Sequence, residues 1–317
     1  MTHYDIFNGD ADGICALQQL RLSNAIESNL VTGLKRDISL LNKVAAQAGD
    51  TVTVLDISLD KNREDLIRLL SNGVKIDYFD HHFAGDIPEH QNLSAYINTS
   101  PEVCTSILVD QYLNHKHLPW AIVGAFGDNM HEVAKLVAQP LKLSEEQLDK
   151  LCLLGTCLNY NGYGIELSDL HFRPDELFRK VQPYTNPFDF IESEPAYQML
   201  NNGYQSDIST TSELSAELDE PNISLYILPD EPWARRVSGV FGNLLARNTP
   251  NKAHALLTKL DDGFRVSVRA PLATKEGADT LCRQFPTGGG RKGAAGINHL
   301  PVDSYSQFVD QFRDTFN

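Results

Sequence analysis

From residue 3 to residue 80 the hydrophobic pattern switches repeatedly between the period of two that marks a strand and the period of about 3.6 that marks a helix. "HYDIF" reads as a strand and "GICALQQLRL" as a helix. "NLVTGL" is a short strand and "SLLNKVAAQ" a helix. "TVTVLDIS" is a strand rich in β-branched residues, "NREDLIRLLSN" a helix, and "VKIDYFD" a strand again. Strands separated by helices pair through right-handed crossovers, so this region predicts an α/β domain with a mostly parallel sheet flanked by helices. In such a sheet the carboxyl ends of the strands lie along one edge, where ligands bind. The residues at those ends therefore carry most of the functional information.

The first strand runs into "NGDADG", with Asp10 and Asp12 one residue apart. Asp and Gly favour tight turns, and paired carboxylates hold metal; the hexapeptide alone fits both readings. Asp56 ends the strand "TVTVLD". Asp80, His81 and His82 end "VKIDYFD", and Asp128 closes "AIVGAFGD". One aspartate is a turn or a helix cap. Several Asp and His residues at successive strand ends are harder to explain that way. If Asp10, Asp12, Asp56 and His81 converge, three carboxylates and an imidazole share one crevice, with Asp128 arriving from the helical part. Hard oxygen donors with one or two imidazoles suit Mn²⁺ or Mg²⁺.

Residues from about 104 to 160 carry apolar residues at helical spacing. Residues 183–222 are polar, acidic and interrupted by Pro183, Pro187, Pro195 and Pro221. They read as a linker with one helix, which places the domains at 1–182 and 223–317. Beyond it, "VSGVFGNLLAR", "KAHALLTKL" and "FRVSVRAP" read as strand, helix and strand, and "SYSQFVDQFRDTF" as a final amphipathic helix. Between them lies "GGGRKGAAG", a glycine-rich loop in which backbone N–H groups can approach an anion. Between Lys252 and Lys292 basic residues outnumber acidic ones.

The net charge of -15 argues against general binding of long nucleic acid, which needs many Lys and Arg on phosphates. Cys15, Cys104, Cys152, Cys157 and Cys282 are scattered, show no zinc spacing and read as reduced thiols of a cytoplasmic protein. The first residues lack the basic and apolar regions of a secretory signal, and no apolar run is long enough to span a membrane.

Taken in order, these motifs resemble the DHH phosphoesterases. "NGDADG" is similar to the family's first motif, "LDIS" to the second, "DHH" at 80–82 to the third and "GDN" at 128 to the fourth. "RVSVRAP" and "GGGRKGAAG" resemble its C-terminal DHHA1 domain. The resemblance implies an N-terminal DHH domain and a smaller α/β DHHA1 domain. It implies that Asp10, Asp12, Asp56, His81 and Asp128 hold two Mn²⁺ ions, with Mg²⁺ as the alternative and Asp56 as the bridge. His82 would face the leaving oxygen or orient the phosphate, and Asp80 would brace the histidines. Arg269, Gly288, Gly289, Gly290, Arg291 and Lys292 would bind substrate. The chain departs from the pattern at two positions. Asn8 stands where relatives carry His or Asp, and Arg291 stands where they carry His.

Within the family the chain looks most like the small-oligonucleotide phosphodiesterases, or nanoRNases. The resemblance implies hydrolysis of 5′-phosphorylated dinucleotides such as pGpG or pApA, linked to cyclic dinucleotide turnover, by a monomer or homodimer. The substrate would be held between metals and glycine-rich loop. Family alternatives are a single-strand exonuclease and a phosphatase of 3′-phosphoadenosine 5′-phosphate. A nucleotide-binding protein that has lost the chemistry is a further alternative, at which Asn8 hints.

Overall fold

The computed structural model describes residues 1–316. Two compact units divide the chain, one from Met1 to Gly203 and the other from Tyr204 onward. In the first, β1 (His3–Phe7) leads into α1 (Ala11–Ser23), and β2 (Asn29–Val31) and β3 (Thr51–Leu55) follow. Next come α2 (Leu59–Ser71), β4 (Lys75–Asp80) and β5 (Leu93–Ile97). The five strands form a wholly parallel sheet in the order β2-β1-β3-β4-β5. The strands are β-branched where they are central: Val52, Val54 and Ile76 join Leu66 and Leu69 of α2 in one buried core. α1 packs instead with α3 (Thr105–Tyr112), α4 (Leu118–Gly127) and, after α5 (His131–Ala138), α6 (Glu145–Asn161). The crossing of α1 and α4 is close because Gly127 has no Cβ; one there would lie 2.2 Å from Cβ of Ala11. That approach brings the next residue, Asp128, to the start of α1.

Two local readings change in this unit. "SLLNKVAAQ" is not a helix; only a single 3₁₀ turn forms at Leu41–Lys43. Side chains of α2 bond the backbone instead. Asn62 Oδ1 accepts from the Leu41 N–H at 3.2 Å, and the Arg68 guanidinium donates to the carbonyls of Leu41 and Val44. Leu40, Leu41 and Val44 are thereby buried with only the two i→i+3 bonds of that turn and no α-helical ones. β5 was not among the expected strands; its side chains are all half-buried, which blurs the alternation that marks a strand.

The expected linker, 183–222, is folded. After α7 (Pro174–Val181) it forms α8 (Pro187–Ser193) and α9 (Pro195–Thr210), and α9 carries the chain from one unit into the next. Pro187 and Pro195 open these helices rather than breaking them, because the first helical N–H has no partner to lose. Asn186 caps α8 by accepting from the Phe188 N–H at 3.1 Å. The indole N–H of buried Trp120 donates to the carbonyls of Tyr184 and Thr185, so the start of this segment is tied to the first unit.

The second unit comprises β6 (Leu218–Asp219), β7 (Ile223–Leu228), α10 (Pro232–Asn248), β8 (Ala253–Leu260), β9 (Gly263–Arg269), α11 (Ala278–Cys282), β10 (Gly288–Arg291), β11 (Ala294–Pro301) and α12 (Tyr305–Phe316). Its sheet is mixed, in the order β10-β11-β9-β8-β7-β6, and only β7 and β8 run parallel. "VSGVFGNLLAR" lies in a helix and "KAHALLTKL" in a strand, the reverse of the expected order. β8 sits between β7 and β9 with six successive buried residues, so no alternation is visible in it. "GGGRKGAAG" is a β-hairpin at the sheet edge and not an open loop. Gly288 is needed there for space, since a Cβ would fall 1.7 Å from the Cys282 carbonyl oxygen. No helix among the described residues is long and apolar enough to cross a membrane.

His254 on β8 gives the second unit a pH-dependent stability. It is 2% exposed, with Nδ1 bonded to Ser224 Oγ at 2.7 Å and Nε2 to Thr249 Oγ1 at 2.8 Å. Burial pushes its pKa down from 6.5 to about 4; Lys252 lowers it further, while the Thr249 bond and Asp219 act the other way. The folded value lies below the unfolded one, so the unfolded chain binds the proton first. The contribution is complete above pH 6.5 and is lost as pH falls towards 4, amounting to about 3 kcal/mol. In urea denaturation at pH 7.5 and 4.5, His254→Gln should lose less stability on acidification than the wild type. Equal losses would remove His254 as the cause.

Candidate metal centre

The carboxyl ends of the parallel strands gather the acidic residues. Asp10 follows β1 and caps α1, its Oδ1 accepting the N–H groups of Asp12 and Gly13, both at 3.1 Å. Asp12, in the first turn of α1, is gripped by the N-terminus of α3. Its Oδ2 accepts from the Thr105 N–H at 2.7 Å and its Oδ1 from the Ser106 N–H at 2.8 Å. Asp56 follows β3 with φ of 60°, a conformation Asp and Asn tolerate better than most residues. The Thr105 hydroxyl donates to its Oδ1 at 3.1 Å. Each carboxylate is thus aimed by backbone or hydroxyl donors and retains lone pairs for a cation.

His81 faces this group from the end of β4. Its Nδ1 lies 3.0 Å from the Val103 carbonyl oxygen, which only accepts, so Nδ1 carries the proton and Nε2 the lone pair. Nε2 lies 3.5 Å from Asp56 Oδ1, 3.8 Å from Asp128 Oδ2 and 4.0 Å from Asp12 Oδ2. Each separation is short enough for the nitrogen and that oxygen to reach one ion bound at about 2.1 Å. Asp56, His81 and His82 also offer ligand atoms that all lie within 4.8 Å of one another. His82 Nδ1 is 2.7 Å from Asp80 Oδ1 and 3.8 Å from Asp56 Oδ1. Asp80 is fully buried, so it orients His82 rather than facing solvent.

The electrostatics call for a cation. Burial, followed by the nearby Asp12, Asp10, Asp128 and Asp80, pushes the Asp56 carboxyl well above its ordinary pKa. Burial also pushes Asp10 upward, but the Lys35 ammonium outweighs it and holds Asp10 below the ordinary value. Three oxygens and an imidazole nitrogen form a donor set for a hard or borderline divalent ion such as Mn²⁺ or Mg²⁺. The thiols of Cys15 and Cys104 are kept protonated by burial and by the nearby aspartates, which leaves them unsuited as ligands.

All the expected first-unit residues therefore come together, and four further participants join them. Thr105 and Ser106 hold Asp12. Lys35, beyond β2, donates through Nζ to Asp10 Oδ2 and, at 2.8 Å, to Asn159 Oδ1 at the end of α6. The strand-end logic applied to "NLVTGLK" would have pointed to Lys35, whereas Asn159 carries no sequence signal. Asn8 donates from Nδ2 to the Lys35 carbonyl at 3.2 Å, and its Oδ1 is buried with no hydrogen-bond partner.

The other expected residues lie in the second unit. Arg269, on β9, bonds Asn243 Oδ1 at 2.6 Å, Ser267 Oγ at 3.0 Å and the carbonyls of Val268 and Gly239. Gly288, Gly289, Gly290 and Arg291 pair with Ile297, Gly296, Ala295 and Ala294 of β11, and Arg291 is exposed. Lys292 pairs with Glu276 at 2.9 Å on the surface.

No protein-family model matches the chain, and no curated protein sequence matches it. Solved structures do. A DHH-domain member of the S1p family of ribosomal proteins superposes with a TM-score of 0.66 at 16% identity, over 99% of this chain and 86% of that one. The exonuclease RecJ bound to manganese gives 0.64 at 15% identity, over 99% and 89%. The pGpG-specific phosphodiesterase PggH from Vibrio cholerae gives 0.59 at 14% identity, over 98% and 99%. Each is a likeness of fold that runs through both units.

Proposed function

We propose that this chain, a protein of the DHH-domain fold, is a metal-dependent phosphoesterase acting on very short 5′-phosphorylated oligonucleotides. Dinucleotides such as pGpG or pApA are the proposed substrates, with mononucleotides as products and a link to cyclic dinucleotide turnover. One observation carries this reading: Asp10, Asp12, Asp56, His81, His82 and Asp128 converge at the carboxyl edge of one parallel sheet, with His81 Nε2 within 4.0 Å of three carboxylates. The likeness to a pGpG-specific phosphodiesterase over nearly the whole of both chains supports the substrate class. The charge of -15 weighs against long strands.

Held by these carboxylates and His81, a divalent ion such as Mn²⁺ or Mg²⁺ would supply positive charge at the attacked phosphate and would activate water as the nucleophile. The protein's part is to aim its own groups. Thr105 and Ser106 hold Asp12, Val103 fixes the His81 tautomer, and Asp80 holds His82 Nδ1. His82 then meets the departing oxygen and gives it a proton from Nε2, while Asp80 stabilises the imidazolium. In the second unit, exposed Arg291 is proposed to contact a terminal phosphate or base. The carbonyl and Asn243 contacts of Arg269 favour a supporting role for it, holding β9 against α10. The five free cysteines, four of them buried, fit a reducing compartment such as the cytoplasm.

The test is turnover by the purified chain with Mn²⁺ on pGpG, pApA, longer RNA, cyclic dinucleotides and 3′-phosphoadenosine 5′-phosphate. Dinucleotide hydrolysis that EDTA abolishes and Mn²⁺ restores is the expected result. Faster cleavage of long strands would make the chain an exonuclease. Turnover in EDTA, or none on any substrate, would overturn the reading.

A further inference from the structure

The DHH resemblance implies two ions, and the arrangement around Asp10 accommodates the second one poorly. We propose that the ammonium of Lys35 stands in the place of one ion, so that the centre takes a single divalent cation beside a built-in positive charge. This rests on the phosphoesterase reading of the same site. The ion that fits belongs to His81 and the three carboxylates nearest its Nε2, those of Asp12, Asp56 and Asp128 at 3.5–4.0 Å. A second ion would need Asp10, yet Asp10 already faces a positive charge that would repel it, whereas both Asp12 oxygens accept only from neutral backbone N–H groups. Asp10 Oδ1 accepts two N–H groups at the start of α1, and its Oδ2 accepts from Lys35 Nζ.

Lys35 is held there from several directions. Its Nζ bonds Asn159 Oδ1 at 2.8 Å, lies 3.9 Å from Asp128 Oδ1 and sits 5.6 Å from the centre of the Tyr163 ring. Its backbone is pinned as well: the N–H donates to the Gly162 carbonyl at 2.9 Å, and the carbonyl accepts from Asn8 Nδ2 at 3.2 Å. Asn8 and Lys35 thus form one device. Where the resemblance calls for a ligand, position 8 carries an amide that holds the backbone of the lysine. A neutral histidine there offers one ring N–H donor and brings a strong metal ligand; the neutral amide is a poor one. The ammonium is compact, carries three donors, and contacts Asp10 and Asn159 with two of them. It supplies positive charge beside the attacked phosphate that no chelator removes.

The experiment is equilibrium binding of Mn²⁺ to the metal-free full chain, with electron paramagnetic resonance of the bound ions. The wild type should bind one Mn²⁺ per chain and show the resolved hyperfine pattern of an isolated ion. The double variant Asn8→His with Lys35→Met should bind two, with a spectrum broadened by exchange between them. Two exchange-coupled ions in the wild type would overturn the proposal and leave the phosphoesterase reading standing. So would a double variant that folds and still binds one. If that variant does not fold, the wild-type stoichiometry decides by itself. No Mn²⁺ binding at all would overturn the metal-centre reading and the proposal with it.

Discussion

Asp56→Asn should abolish Mn²⁺ binding and lower dinucleotide turnover by about 10³–10⁴-fold, the scale expected when several kcal/mol of transition-state charge stabilisation is lost. The fold should survive. Asn tolerates the φ of 60° at this position better than Ala does, and its Oδ1 still accepts from the Thr105 hydroxyl. The metal-free variant should even resist urea better than the metal-free wild type. Asp56 is 2% exposed, and burial with the surrounding Asp12, Asp10, Asp128 and Asp80 makes its charge costly. A neutral amide removes that repulsion without leaving a cavity. Comparing urea midpoints in EDTA therefore separates loss of function from loss of fold. Normal Mn²⁺ content with substantial activity would refute the site, and a destabilised metal-free variant would refute the electrostatic account.

The largest loss of stability is expected at Arg21, outside the site. Its guanidinium reaches across from α1 to β1 and makes a two-pronged pair with Asp5, Nε to Oδ2 at 2.9 Å and Nη2 to Oδ1 at 2.8 Å. Asp5 is fully buried and Arg21 is 7% exposed. Arg21→Met leaves a buried carboxylate with only Ser28 and His3 as partners, at a cost of about 3–5 kcal/mol. Adding Asp5→Leu should recover much of it, because the double variant removes the charge that was left unpaired. Urea unfolding of the two variants measures both effects. A loss below about 1 kcal/mol in Arg21→Met would place the pair among those that contribute little.

Local chemistry made much of the first unit legible. Alternating periods over residues 3–80 are enough for a parallel sheet, because helices must cross over between strands that run the same way. A parallel sheet then places every strand end at one edge, so Asp10, Asp56, Asp80, His81 and His82 could be grouped before any contact was known. Asp128 was legible as the end of an apolar helix. These inferences needed only residue type, spacing and chain direction.

Other features depend on what lies across the fold. "KAHALLTKL" is built of good helix formers, yet β7 and β9 on either side make it a central strand. "SLLNKVAAQ" yields its helical bonds to Asn62 and Arg68 of α2. Pro187 and Pro195 look like breaks and are helix starts. The glycine triplet looks like a loop and is an edge strand crowded by Cys282. Most consequential is Lys35, an unremarkable basic residue in "GLKRDI" until Asn8, Asp10, Asn159 and Gly162 surround it. The chain's own order determined which carboxylates would meet. Long-range packing alone decided that an ammonium would join them, since Lys35 is held by Asn159, 124 positions away along the chain.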